Sequence, residues 1–146
     1  MSITFGGEFR VHRKRDEVYH FLIDPDRFAP LLPDFERLTV ADEGHSTVHV
    51  KVGIAHIRGT ARVHLQLVEA EAPRRALYQG KGSVPGGSVN FTAAFDLEDD
   101  GAGTLVTWKG EAQLFGGIIS VAGGLLEPLA KKNVQKLIAG LQEALA

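Results

Sequence analysis

The chain has 146 residues, a formal net charge of −2 and no cysteine. Its length allows one domain with a sizeable core, so we expect residues 1–146 to form a single domain. The small net charge argues against nucleic acid as a partner, and the lack of cysteine excludes disulfides, thiolate catalysis and cysteine-ligated metals.

An alternating segment opens the chain and a basic run follows it. Ile3, Phe5 and Phe9 alternate with polar residues, which predicts a half-buried strand. The run RVHRKR at residues 10–15 either docks an acidic partner or lipid headgroups, or forms a solvated turn. We favour the turn, because cations without interleaved aromatic residues are a weak signal for nucleic acid or membrane.

Two short helices are predicted next. The acidic residues 16–17 suit a first helical turn, where negative charge is favoured. An apolar stripe at helical spacing follows, made of Val18, Phe21 and Leu22. Pro25 ends this helix, and a second short helix then runs to Pro33. We expect residues 25–33 to form a mobile lid over a cavity.

The middle of the chain predicts antiparallel strands. Apolar residues recur with a period of two across residues 48–54, 57–67, 89–97 and 106–114. The turn-rich separators are short, which predicts hairpins with one exposed face. The string GKGSVPG at residues 80–86 does not open a helix, so we interpret it as a bent strand and a hairpin turn instead of a phosphate-binding loop.

A long helix over about residues 117–146 closes the chain. We predict two apolar stripes, Ile118, Ala122, Leu125 and Leu129 in one, and Leu126, Ala130, Leu137, Leu141 and Leu145 in the other. Pro128 lies between them and is expected to kink the helix. Gly123 and Gly124 lower helix propensity, and they serve either close packing against the sheet or pocket volume.

The order of the elements predicts an α+β fold. A curved antiparallel sheet of about seven strands would wrap around the C-terminal helix, with an apolar cavity between the two. The candidate ligand-binding residues are those expected to face this space: Phe28, Leu31, Leu32, Val52, Ala61, Val63, Tyr78, Phe91, Phe95, Trp108, Ala122, Gly124 and Leu125. Tyr78 is the expected polar handle, because a buried phenol seeks a hydrogen-bond partner.

Several motifs resemble one family along essentially the whole chain. They are F-x-G-x-F at residues 5–9, V-x-x-F-L-x-D-P-x-R-x-A-x-L-L-P at residues 18–33, I-R-G at residues 57–59, G-T-x-V-x-W at residues 103–108, and the late glycine pair before L-L-E and K-K. Together they resemble the carbon monoxide dehydrogenase G-subunit family, within the START/Bet v 1-like helix-grip superfamily. The resemblance implies a helix-grip ligand-binding domain.

The resemblance also implies a non-catalytic accessory protein beside a molybdenum hydroxylase of the carbon monoxide dehydrogenase type. Such proteins are connected with maturation, with membrane recruitment of the dehydrogenase and with handling a quinone. We therefore expect a quinone or lipid-like ligand, no cofactor and no nucleic acid. The most apolar window, residues 114–130, is too short for an integral membrane segment. The expected location is cytoplasmic, with peripheral contact at the inner membrane face left open.

Two rival functions stay open. A cyclase or hydratase would need inward polar groups, for which Glu69, Tyr78 and Glu111 are the candidates, yet no nucleophile lies in an activating motif. A protein-interaction module would instead have a filled core and an exposed apolar patch. The six histidines show no metal-binding spacing, so no metal site is predicted.

Overall fold

The computed structural model describes residues 1–146, apart from the side chain of Ala41. The elements follow in the order β1 (Ser2–Val11), α1 (Arg15–Leu22), α2 (Pro25–Phe28), a 3-10 turn (Ala29–Leu31), β2 (Phe35–Asp42), β3 (His45–Ile54), β4 (Ile57–Glu71), β5 (Arg75–Val84), β6 (Gly87–Asp100), β7 (Gly103–Phe115) and α3 (Ile118–Ala144). This order confirms the predicted α+β architecture.

The strands form one seven-stranded antiparallel sheet in the order β1-β7-β6-β5-β4-β3-β2. Strands β2 to β7 follow one another through hairpins, while α1 and α2 carry the chain from β1 at one edge to β2 at the other. Residues 80–86 form the end of β5 and the start of its hairpin turn, as predicted. Sequence periodicity did not isolate β2, where a register shift between Phe35 and Arg37 interrupts the alternation.

The two short helices lie where the sequence places them. In α1 the buried side chains are Val18, Tyr19 and Leu22, and the predicted stripe residue Phe21 is partly buried against the same core cluster. The next helix starts at Pro25, and the Oδ1 atom of Asp24 caps it by accepting a hydrogen bond of 3.0 Å from the Asp26 amide. Such caps satisfy amides that have no partner inside the helix.

The C-terminal helix α3 presents one apolar stripe to the sheet. Its buried residues are Ile118, Ala122, Leu126 and Leu141. The prediction of two stripes that meet at Pro128 is therefore wrong, because Leu126 continues the stripe of Ala122 while Leu125 points away from the sheet. Pro128 itself lies inside the helix on its exposed side.

Candidate functional site

Two adjoining cavities lie between the inner face of the sheet and the C-terminal half of α3. The first has a volume of about 150 Å³ and is lined by Leu22, Phe28, Leu32, Leu65, Tyr78, Phe91, Ala93, Phe95, Leu137 and Leu141. The second has about 250 Å³ and is lined by Phe5, Phe91, Ala93, Phe95, Trp108, Gly110, Ala112, Val134, Leu137, Ile138 and Leu141, and it reaches the exposed residues Thr92, Lys109 and Glu111. Five residues line both, so the two cavities form one apolar site.

Small residues on the sheet create this space. Ala93 lies at the centre of the site, opposite Tyr78 on β5 and Gly110 on β7. Ala112 lies next to it on the inner face of β7, opposite Phe91. Because these side chains are short, the sheet does not fill the distance to Leu137 and Leu141 on the helix.

Two glycines let aromatic rings lie flat along the cavity wall. A Cβ atom on Gly80 would overlap the ring of Phe91, and a Cβ on Gly7 would come within 3.3 Å of the Cζ2 atom of Trp108. Each glycine therefore gives room to a ring on a neighbouring strand. The close approach at Gly7 supplies a packing reason for the F-x-G-x-F motif at residues 5–9.

The hydroxyl of Tyr78 is already bonded to the protein. It donates a hydrogen bond of 2.8 Å to the carbonyl oxygen of Leu22. Burial raises the pKa of Tyr78 above its ordinary value, and Tyr19 and Asp24 add smaller contributions in the same direction. Tyr78 is thus buried and paired, as the sequence suggested, but its partner is the backbone of α1, which leaves no free side-chain donor in the wall of the first cavity.

Residues 25–33 close one side of the first cavity. Phe28 and Leu32 line it, and the ring of Phe28 meets that of Tyr78 edge-on at 5.7 Å between centroids. The neighbouring Leu31 reaches α3, where a Cβ on Gly140 would lie 3.6 Å from its own Cβ. The segment therefore bridges the sheet and the helix over the cavity, and its mobility stays a prediction.

The sequence matches the family model of the carbon monoxide dehydrogenase G subunit (CoxG) over residues 7–146. The chain belongs to the CoxG family. No curated protein matches the sequence significantly.

Solved structures share the fold of this CoxG-family protein at low sequence identity. A conserved protein from Geobacillus kaustophilus has a TM-score of 0.86 at 19% identity, with 98% of this chain and 95% of that chain covered. A START superfamily protein from Mycobacterium smegmatis has a TM-score of 0.72 at 9% identity, with 97% and 96% covered. The Zhui aromatase/cyclase from Streptomyces sp. R1128 has a TM-score of 0.68 at 15% identity, with 99% and 92% covered. These likenesses show the START-like fold.

The structure brings about half of the predicted ligand-binding residues together around the two adjoining cavities. The residues that line these cavities are Phe28, Leu32, Tyr78, Phe91, Phe95 and Trp108. Val63 belongs to the same apolar cluster as Tyr78 without lining the space, and Ala61 is buried on the inner face of β4. Val52 and Ala122 belong to a separate cluster at the other end of α3.

The prediction that Gly124 and Leu125 contact a ligand is wrong. Leu125 is 53% exposed, and a Cβ on Gly124 would meet no atom within 4 Å, so both lie on the solvent side of α3. The physical reason is the helical register, because the face that contacts the sheet runs through Ala122 and Leu126.

Sequence reasoning missed several cavity residues. On the sheet they include Phe5, Leu65, Ala93 and Ala112, and on the helices Leu22, Val134, Leu137, Ile138 and Leu141. The signal for most of them was present, since alternation placed Leu65 and Ala93 on the inner face. Alternation does not say where along a strand the helix stands away from the sheet, so it could not separate lining residues from core residues.

The other candidate acid–base groups and the basic run lie at exposed positions. Glu69 is exposed and accepts a hydrogen bond of 3.2 Å from Arg75, and Glu111 is exposed at the second cavity. The basic run pairs with acids, for example Arg10 with Asp100 at 2.9 Å.

The described part of the chain offers neither a metal-binding cluster nor a membrane-crossing helix. Within it, no three His, Asp or Glu side chains are grouped so that they could hold a metal ion. Of its helices, none combines the length and apolar character that crossing a membrane requires.

Proposed function

We propose that this CoxG-family protein binds a hydrophobic small molecule with a long hydrocarbon part, an isoprenoid quinone or a lipid-like ligand, and does not transform it. The apolar wall of the two adjoining cavities carries this proposal. Their volumes, about 150 and 250 Å³, together reach the range of small-molecule sites, about 300–1,000 Å³. Binding there would draw on burial of apolar surface, about 25 cal/mol for each Å² removed from water.

The wall composition favours the tail of such a ligand over its head. A quinone carbonyl inside the first cavity would find no free donor, because the Tyr78 hydroxyl is bonded to Leu22. An unpaired buried acceptor costs about 1–3 kcal/mol. We therefore infer that the hydrocarbon tail enters the cavity and that the polar head stays at the mouth or outside it.

The same composition supports a binding role over a catalytic one. Proton transfer needs a titratable group within hydrogen-bond reach of the substrate. The first cavity offers only Tyr78, whose pKa is raised by burial and whose proton is engaged. The titratable residues of the second cavity, Lys109 and Glu111, are exposed to solvent. Membership in the CoxG family supports an accessory role beside a molybdenum hydroxylase of the carbon monoxide dehydrogenase type.

Filling the cavity tests the proposal, and adjacent alanines offer a matched pair of variants. Ala93 lines both cavities, while Ala94 lies on the opposite face of β6. We expect Ala93→Phe to weaken binding of a decyl-substituted benzoquinone at least about tenfold, because the new ring occupies the ligand's volume. Ala94→Phe should leave binding within about twofold, because that side chain points away from the cavity. Native mass spectrometry and fluorescence titration would measure both.

The choice of probe separates the tail from the head. Decanol, which lacks the quinone head, should bind about as well as the decyl quinone, and the same benzoquinone without its alkyl chain should not bind. Equal binding by both alanine variants would refute the cavity as the site. Tight binding of the tail-free quinone would refute tail recognition and favour a polar site elsewhere.

A further inference from the structure

Cations gather on the outer face of the sheet, the face turned away from α3. We define the cationic face by five outward-pointing Arg and Lys residues on β2 to β5: Arg37, Lys51, Arg58, Arg62 and Lys81. His64 and the buried His49 lie among them. None of the ion pairs formed by the described residues includes any of them. The neighbouring carboxylate of Glu36 accepts a hydrogen bond of 2.9 Å from the Thr60 hydroxyl.

Strand register holds these groups close together. Arg37 is directly opposite His49, which is directly opposite Arg62 on the next strand. In the adjacent row His64 is directly opposite Lys81. Neighbouring strands lie about 4.8 Å apart, so the two rows concentrate positive charge within a few strand widths. These five side chains help to line a shallow groove of about 490 Å³.

The clustering does not follow from the overall composition. The net charge of the chain is −2, and every arginine outside the cationic face is paired with an acid, such as Arg10 with Asp100 and Arg75 with Asp96, each at 2.9 Å. Like charges held side by side on a sheet destabilise it. The Glu36 carboxylate, bonded to Thr60 between Arg58 and Arg62, offsets part of this repulsion, and an external anion would offset the rest.

We infer that the cationic face docks an acidic surface of a partner protein. Thr39, Thr47 and Ser83 lie among its charged residues, and the described side chains of this face include no Phe, Tyr or Trp ring on which a base could stack. Of its two imidazole rings, that of His49 is buried and that of His64 already stacks on His45. Apolar side chains that insert into a bilayer are also missing from the described part of this face. The exposed ring of Phe115 lies three strands beyond Arg62 in the same row, outside the face.

Docking on this face separates the two tasks of the molecule. The cationic face and the cavity lie on opposite faces of one sheet, so a partner protein on the outer face leaves α3 and residues 25–33 uncovered. The inference depends on charge and register alone, and it holds whatever molecule fills the cavity.

A charge-matched pair of triple variants tests the inference with poly-L-glutamate as the probe. One variant combines Arg37→Gln, Arg62→Gln and Lys81→Gln. The control combines Lys14→Gln, Lys132→Gln and Lys136→Gln, which removes the same charge from exposed positions off the cationic face. At about 0.15 M salt the first variant should lose at least about tenfold in affinity, and the control less than about threefold, because charges more than about 8 Å apart are then largely screened. Binding of decyl-substituted benzoquinone should remain unchanged in both.

Three results would overturn the inference. Equal losses in the two variants would show that net charge alone attracts the polyanion. Absence of binding by the wild-type protein at low salt would refute an anion-docking face. Tighter binding to phosphatidylglycerol vesicles or to single-stranded oligothymidylate, lost in the first variant only, would assign the face to lipid or nucleic acid instead of an acidic protein.

Discussion

The two halves of α3 meet the same sheet in different ways. In the N-terminal half, Ile118, Ala122 and Leu126 pack with Ile54 of β3 into a closed apolar cluster. In the C-terminal half, Leu137 and Leu141 stand over the two cavities. The closed half thus includes the short side chain of Ala122 on its buried face, while the half that leaves space presents leucines.

The sheet, and not the helix, accounts for this difference. Opposite the closed half it presents the branched residues Val52, Ile54, Val84 and Leu114. Opposite the open half it presents the short residues Ala93, Gly110 and Ala112 between aromatic rings, those of Phe5, Phe91, Phe95 and Trp108. A helix that is held at one end by branched side chains stands away from short ones at the other end. The closed half therefore acts as an anchor that keeps the open half apart from the sheet.

The open half has an energetic consequence for ligand binding. Apolar side chains that line this open site without a packing partner forgo burial worth about 25 cal/mol for each Å² of apolar surface. A hydrocarbon ligand that fills the space restores the lost contacts. The same packing defect that destabilises the empty protein thus favours the occupied one.

Truncation of the anchor is expected to have the largest effect. Leu126→Ala removes a side chain that is only 9% exposed, and should lower the free energy of unfolding by about 2–4 kcal/mol. The adjacent Leu125, 53% exposed, is the control, and Leu125→Ala should change stability by less than about 0.5 kcal/mol. Urea denaturation measures both. Similar losses at the two leucines would contradict the register of α3 and the anchor with it.

The two tyrosines allow a sharper test of the open half. Tyr78→Phe removes the hydrogen bond to Leu22 and should cost about 1–2 kcal/mol, measured by urea denaturation. The hydroxyl of Tyr19 is buried and has no hydrogen-bond partner among the described residues. Tyr19→Phe should therefore be neutral or stabilising. A larger loss of stability from Tyr19→Phe than from Tyr78→Phe would contradict the hydrogen bonding described for the two hydroxyls.

The pH dependence of stability follows from the same group. The raised pKa of Tyr78 means that the fold favours its neutral form. Its contribution is complete below the ordinary tyrosine pKa of about 10 and is lost as the pH rises through the higher pKa of the folded state. Melting temperatures should fall above about pH 10, and Tyr78→Phe should make that fall shallower. An identical alkaline profile for the variant would contradict a buried, neutral Tyr78.

Sequence patterns predicted the fold well and the site less well. Hairpin turns, the alternation of Val48 to Val52 and the helix break at Pro25 depend on neighbouring residues, so the sequence alone indicates them. The cavity depends on which residues of distant strands face one turn of α3, as Ala93 and Gly110 face Leu137. Local patterns do not contain that pairing. For this reason the sequence-based prediction assigned the pocket volume to the glycines of the helix, whereas short residues of the sheet provide it.

Substitution of Gly124 is expected to have the smallest effect. It tests whether the helix or the sheet creates the space of the cavity. If space beside Gly124 formed the site, a side chain there would block binding. The structure leaves a Cβ at this position with no atom within 4 Å. Gly124→Ala should then raise the free energy of unfolding by up to about 1 kcal/mol, because alanine favours a helix over glycine. Thermal denaturation measures this gain, and binding of decyl-substituted benzoquinone should not change. If this variant is more stable but binds more weakly, the ligand lies beside the N-terminal half of α3. That result would refute the idea that this half is closed and holds the other half away from the sheet.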